Sequence, residues 1–244
     1  MYKGKKILAI IPARAGSKRI KNKNLKNINN KPLIYYTLKY ALNNLKLIDE
    51  IFVSTNSKKI LNYSKKISPN IISTLRPEKI SGDKSSDFEF IKHTVKFLEK
   101  QKKKFDIIVI LRPTTPIRDK KLITNCLKTL INSKGTSVRS AKCVEHTHPY
   151  WMYQLKKNTP IEIIKNKNFF KYYQSQKLPK FYMHDGHCDI FLIKNIFKNN
   201  EKNKIKKIYG NKMLYYKNKQ KYLVNIDEPF DFFIAEQIIK KLSE

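Results

Sequence analysis

No stretch of the 244 residues approaches the roughly 18 to 20 consecutive apolar residues that a membrane-spanning helix needs. The opening MYKGKK leads into a short apolar run that ends in polar residues, so a soluble, unexported, cytoplasmic protein is expected. Cysteine is scarce too. Cys126, Cys143 and Cys188 are too scattered for a zinc pattern and too few for a disulfide framework. They fit a reducing compartment and read as small, partly buried residues. Two familiar phosphate loops are also missing: neither Gly-x-x-x-x-Gly-Lys-Ser/Thr nor Gly-x-Gly-x-x-Gly occurs at the loop where a phosphate site is expected, which argues against a P-loop NTPase and a Rossmann dehydrogenase.

Arginine is rare in a chain crowded with positive charge. The formal net charge is +33, yet only six of the 52 basic residues are arginine and the other 46 are lysine. Basic side chains neutralise phosphates and release counterions, so such a charge raises a nucleic-acid reading. The lysines, however, are spread along the whole chain among many Asn and Ile, as a codon bias toward A and T would leave them. No aromatic-basic RNA motif or helix-turn-helix pattern is visible. A noncatalytic nucleic-acid-binding protein therefore stands as the alternative from another class, with salt-sensitive binding and no nucleotide turnover as its signature. The few arginines carry more information, because a planar guanidinium fork grips phosphate or carboxylate in a way an ammonium does not.

With 41% hydrophobic residues the chain can bury one substantial core, and its length suits a single α/β domain, 1–244, with one modest insertion. Ile7-Leu8-Ala9-Ile10-Ile11 is a continuous apolar run, the mark of a strand buried on both faces of a parallel sheet. Helical spacing follows from Pro32 to Leu45, then a strand over 50–54, a helix near 57–67, a short strand near 71–73 and a helix over about 87–101. A second strongly apolar strand spans 106–111, with a helix near 120–132 after it. This alternation implies a mostly parallel, doubly wound sheet. Regularity fades over about 146–180, read as an insertion or dimerisation arm. Strands at 189–193 and 221–225 and a helix over 229–242 close the chain.

Directly after the first strand comes Ile11-Pro12-Ala13-Arg14-Ala15-Gly16-Ser17-Lys18, continuing to Lys23-Asn24. Ligands of open α/β sheets bind beyond the carboxyl ends of the strands, so this loop has the right address. It holds five cations from Arg14 to Lys23, a glycine at Gly16 that allows close backbone approach, and the Ser17 hydroxyl and amide. Such groups cradle a triphosphate. Three further segments stand out. Arg76-Pro77 precedes Ser81, Asp83, Ser85 and Ser86, which read equally as a turn-rich loop ending in a helix cap. Leu111-Arg112-Pro113-Thr114-Thr115-Pro116-Ile117-Arg118 follows the second core strand. Asn225-Ile226-Asp227 precedes Pro229, where an acidic residue either binds a hard cation or caps the helix.

Ile-Pro-Ala-Arg-x-Gly-Ser-Lys, then Lys23-Asn24 and Lys31-Pro32-Leu33-Ile34, resembles the signature of the acylneuraminate (CMP-sialic acid) cytidylyltransferases. The resemblance runs over nearly the whole chain and implies a nucleotide-diphospho-sugar transferase-like fold, a homodimer joined through the arm, and a place in surface-polysaccharide biosynthesis. It implies the reaction of CTP with an acidic nine-carbon sugar of the sialic, legionaminic or pseudaminic type, giving the CMP-sugar and pyrophosphate, with a Kdo cytidylyltransferase as the neighbouring alternative. By resemblance, Arg14, Gly16, Ser17, Lys18, Lys23 and Asn24 contact the nucleotide, Arg14 and Lys23 being also catalytic. Arg76 and Ser85 lie near the cytidine, joined by Arg112 and Thr114. Arg112 stands where the family has Gln. Leu178-Pro179 through His184-Asp185-Gly186-His187 is similar to the acceptor-selecting stretch and implies sugar contacts from Gln176, Asp185 and Gly186. Ser175 replaces the usual Arg and Asp185 the usual Asn, while His184 and His187 either bind sugar hydroxyls or flank a turn. The last segment resembles Asp-Ile-Asp-x-Pro-x-Asp, with Asn225 in the first place; Asp227 is then the catalytic ligand of Mg²⁺.

Overall fold

The computed structural model of the chain describes residues 1–144, 147–164, 172–197 and 201–243. Strand β1 (Ile7–Pro12) runs through the sheet between two parallel neighbours, β4 (Glu50–Thr55) and β6 (Ile107–Ile110), which is why its apolar residues are unbroken by polar ones. Ile7 through Ile11 are fully buried. Their alternation divides them between two layers. Ile7, Ala9 and Ile11 join a cluster with residues of α1 (Leu33–Leu42), α2 (Lys58–Ile67) and α4 (Leu122–Asn132), whereas Leu8 and Ile10 join one with α3 (Asp87–Lys100).

Seven strands form the sheet in the order β11-β7-β10-β6-β1-β4-β5, where β5 is Ile72–Leu75, β7 Ser137–Cys143, β10 Tyr182–Leu192 and β11 Met213–Lys217. All pairings are parallel except those of β10, which runs antiparallel to both β6 and β7. Two small hairpins lie outside this sheet: β2 (Asn27–Ile28) with β3 (Lys31–Pro32), and β8 (Tyr153–Lys156) with β9 (Thr159–Glu162). A short helix, α5 (Lys204–Tyr209), precedes β11.

The final helix, α6 (Pro229–Ser243), packs Phe232, Ala235 and Ile239 against Ile20, Ile28 and Leu33. This third cluster brings the end of the chain onto the loop that follows β1. Val224 and Ile226 belong to the same cluster, and the Ile226 amide donates to the Thr114 carbonyl at 2.7 Å. That docking explains a departure from expectation. Residues 221–225 form no strand: Val224 packs with α6 while Leu223 lines the second cavity, and the strand is instead Met213–Lys217.

Within 146–180, the described residues form a 3-10 turn at Pro149–Trp151, the β8–β9 hairpin, whose eight residues are all exposed, and a second 3-10 turn at Ser175–Lys177. His146 and residues 165–171 of that expected arm lie outside the described residues. His184 and His187, weighed as turn residues, instead belong to β10, whose register shifts between His184 and Asp189 at a bulge where Gly186 adopts φ +74°.

Candidate active site

Beyond the carboxyl ends of β1, β4 and β6 lies a cavity of about 310 Å³, whose walls include Arg14, Ser17, Lys23, Arg76, Asp83 and Ser85. The loop after β1 is fixed by its backbone. Ala13 N donates to Ser54 O at 2.9 Å and Ala15 N to Asn56 Oδ1 at 2.8 Å. Buried Asn24 also lines the cavity, and its amide donates to the Arg14 carbonyl at 2.8 Å, so it holds the loop closed on itself. Lys23 Nζ donates to Ile226 O at 2.8 Å and lies 3.4 Å from Asp227 Oδ1. Gly16 and Lys18 sit on the rim, where a Cβ on Gly16 would meet nothing within 4 Å.

Arg76 is buried. Its guanidinium donates to Ser54 O at 2.8 Å and Ser54 Oγ at 3.2 Å and lies over the Phe90 ring. It has no ion-pair partner among the described residues, and burial, helped by nearby Arg14, pushes its pKa down to about 10. A buried cation without a counterion at a cavity wall favours an anionic ligand.

A second cavity, of about 410 Å³, abuts the first; Lys142, His184, Gly186 and Asp227 are among its walls. Arg112 and Thr114 line both cavities. Arg112 is the seam. Its Nη1 donates to Asp189 Oδ2 at 2.7 Å and its Nη2 pairs with Asp87, the first residue of α3. Asp189 is wholly buried and also receives Arg139 Nε at 3.0 Å and His184 Nε2 at 2.9 Å. Burial alone would disfavour its charge, but the guanidiniums of Arg112 and Arg139 with His184 hold its carboxyl far below the usual range. The fifth arginine, Arg118, is a staple: partly buried, it reaches His187 O, Thr37 Oγ1 and Arg112 O.

The structure places the remaining expected residues as follows. Asp185 lies in the second cavity's wall, with its carboxylate accepting from Ser140 Oγ, from His187 N at 2.9 Å and from Asn218 Nδ2 at 2.9 Å, so it fixes the bulge. Gly186 lines the same cavity beside it, and the buried Nε2 of His187 has no hydrogen-bond partner there. Gln176 sits on the exposed Ser175–Lys177 turn and lines neither cavity. Asp227 faces the second cavity, its carboxylate half-exposed, with Oδ2 accepting from Asn225 Nδ2 at 2.6 Å. It does not cap α6. That role falls to Asp231, whose Oδ2 accepts from the amides of Asp227 and Glu228 at 2.7 Å each. A half-exposed carboxylate beside the cationic loop that follows β1 is of the kind that holds a hard cation whose other ligands are phosphates and water. No cluster of three or more His, Cys, Asp or Glu able to hold a metal by itself occurs among the described residues.

Sequence reasoning missed Lys142, which lines the second cavity without an ion-pair partner among the described residues, and the pair Asp189 and Arg139. A signal for Asp189 existed: it is a carboxylate set among apolar residues in the segment Cys188-Asp189-Ile190-Phe191-Leu192.

A doubly wound sheet with a cationic loop past its first strand, and two cavities meeting at one arginine, defines a nucleotidyl-transferring enzyme. Residues 8–240 match the family model described as cytidylyltransferase, and the chain belongs to that family. It is 29% identical over 181 residues to the pseudaminic acid cytidylyltransferase of Campylobacter jejuni, covering 74% of this chain and 75% of that one. Over 146 residues it is 33% identical to the CMP-N,N'-diacetyllegionaminic acid synthase of Legionella pneumophila, covering 60% and 61%. Over 123 residues it is 37% identical to the N-acylneuraminate cytidylyltransferase of Escherichia coli, covering half of this chain but 28% of that much longer one. Among solved structures, a CMP:2-keto-3-deoxy-manno-octonic acid synthetase complexed with CTP shares the fold at a TM-score of 0.67 and 14% identity, covering 97% of this chain and 99% of that one. No helix among the described residues is long and apolar enough to cross a membrane.

Proposed function

We propose that the protein transfers CMP from CTP to the anomeric hydroxyl of an acylated nonulosonic acid, releasing pyrophosphate. The observation that carries this reading is the meeting of the two cavities at Arg112 and Thr114. CTP fits the first, with its phosphates on Arg14, Ser17, Lys18 and Lys23 and its nucleoside toward Arg76 and Ser85. The acidic sugar fits the second, where Lys142, without an ion-pair partner among the described residues, offers a partner for its carboxylate and Gly186 opens the wall. The hydroxyl oxygen bonds to the α-phosphorus while the bond to the β-phosphate oxygen breaks, and the protein's part is positioning and charge stabilisation. Arg14 and Lys23 offset the charge that develops on the phosphates. Asp227 is the residue suited to hold Mg²⁺, which supplies further charge neutralisation when bound.

The named relatives support an acceptor of the sialic, legionaminic or pseudaminic class, whereas the likeness to the 2-keto-3-deoxy-manno-octonic acid enzyme is one of fold. The exposed side chains of the arm, Trp151, Met152, Leu155, Ile161 and Ile163, support a homodimer joined there. A cytoplasmic setting fits substrates that are themselves cytoplasmic metabolites. The test is mass spectrometry of products formed from CTP, UTP, ATP or GTP with a panel of nonulosonic acids and Kdo. CMP-nonulosonate from CTP alone is expected. Equal turnover of the four nucleotides, or turnover of Kdo only, overturns the reading.

A further inference from the structure

Carboxylates are few in this chain, 19 against 52 basic residues, and most cations have none to pair with. One of the few is placed across the phosphate loop. Asp83 Oδ1 lies 2.5 Å from Arg14 Nη1, and Asp83 Oδ2 lies 2.9 Å from Lys18 Nζ. The two oxygens of one anion thus bridge two cations on the opposite rim of the cavity, as two oxygens of a phosphate would. Hydrogen bonds from Lys18 and then Arg14 keep this carboxyl below its ordinary range, so it is charged whenever the enzyme works. The side chain is about a third exposed and follows Gly82, whose own surroundings are open. It can swing into water when a stronger anion arrives.

We propose that Asp83 is an internal competitor for the phosphate site: the triphosphate displaces it from Arg14 and Lys18 on binding, and it returns to them as pyrophosphate leaves. This rests on the nucleotide reading above and adds to it a determinant of specificity. A ligand lacking phosphates never meets the competitor. One carrying several anionic oxygens outbids a single carboxylate, and the small cost of the exchange is recovered when product departs. The pairs are solvent-exposed and individually weak, which suits a contact that must break and reform in each turnover.

Binding of sodium pyrophosphate, CTP and cytidine to the full chain and to its Asp83→Ala and Asp83→Asn variants, by calorimetry without divalent cations, tests this. Pyrophosphate and CTP should bind about three- to tenfold more tightly to both variants, the scale of releasing two exposed ion pairs, while cytidine affinity stays as in the parent. In turnover, pyrophosphate should inhibit the variants at correspondingly lower concentration. Unchanged or weaker pyrophosphate binding in variants that melt like the parent overturns the proposal, as does tighter binding of cytidine or no pyrophosphate binding by any of the three proteins. If pyrophosphate binding tightens in the variants but CTP does not bind, the competitor stands and the nucleotide reading falls.

Discussion

Two aspartates four residues apart at the head of α6 have separable roles, and exchanging each in turn isolates them. Asp227 accepts from Asn225 and approaches Lys23 at 3.4 Å, and nothing in α6 depends on its charge. With Lys23 largely buried but Asp227 half-exposed and the two 3.4 Å apart, the pair is worth on the order of 1 kcal/mol, which in a domain of this size moves the melting temperature by about 2–4 °C. Asp227→Asn should therefore melt within a few degrees of the parent. If Asp227 holds Mg²⁺, losing its charge removes stabilisation of the developing phosphate charge and should lower turnover by about 10²- to 10³-fold, with a weaker Mg²⁺ dependence. Asp231→Ala should show the reverse. It strips the partner from two amides at 2.7 Å, a loss of about 0.5–2 kcal/mol, while the metal response stays as in the parent. Pyrophosphate release titrated with Mg²⁺, set beside thermal melts of both variants, reads out the two roles. Full activity and an unchanged Mg²⁺ titration in Asp227→Asn would refute the reasoning and place the metal elsewhere.

Arg14→Lys should lower kcat/KM about a hundredfold, since a charge-assisted contact with a fixed fork is worth about 2–3 kcal/mol; kinetics equal to the parent's would show that arginine at this position is not special. Asp189→Asn leaves Arg112 and Arg139 beside a neutral group, and breaking a buried pair costs about 3–5 kcal/mol. Because the folded-state pKa of Asp189 is depressed, its contribution is present above the unfolded value of about 4 and is lost as pH falls below it. The gap in melting temperature between parent and variant should thus narrow as pH falls below about 4, and a gap that widened there would contradict the sign. Leu155→Glu, on the exposed β8–β9 hairpin, should convert a dimer to a monomer in sedimentation without loss of helicity; a parent that sediments as a monomer removes the arm from the interface.

The central strands were legible because β1 and β6 are buried on both faces and must be apolar throughout. The edge was not. In β7, Ser137-Val138-Arg139-Ser140 lacks such a run, and β11 is only half-covered, so Leu223 and Val224 looked the better strand although Val224 docks under α6 and Leu223 lines the second cavity. The segments bearing the site were likewise readable one by one, each just past a strand. What joined them was invisible. Asp83 on Arg14, Asp87 and Asp189 on Arg112, and Lys142 sharing a cavity with Asp227 link stretches far apart in the chain, and only folding brings such residues together. The acidic residue that caps α6 was misplaced for a related reason: position before Pro229 pointed to Asp227, whereas the side chain that reaches back is Asp231, one turn inside the helix.

The reversed direction of β10 gives the molecule a division of labour that bears on how it can diversify. A parallel strand delivers the loop that follows it to the reactive edge of the sheet; β10 delivers what precedes it. Met183, His184 and Asp185 therefore arrive at the second cavity straight from the arm, while the first cavity is lined by residues that follow β1, β5 and β6 and by none of the arm's described residues. On the proposed assignment of the two cavities, lengthening, shortening or rewriting the arm would retune the choice of acceptor while the machinery for the nucleotide is inherited unchanged.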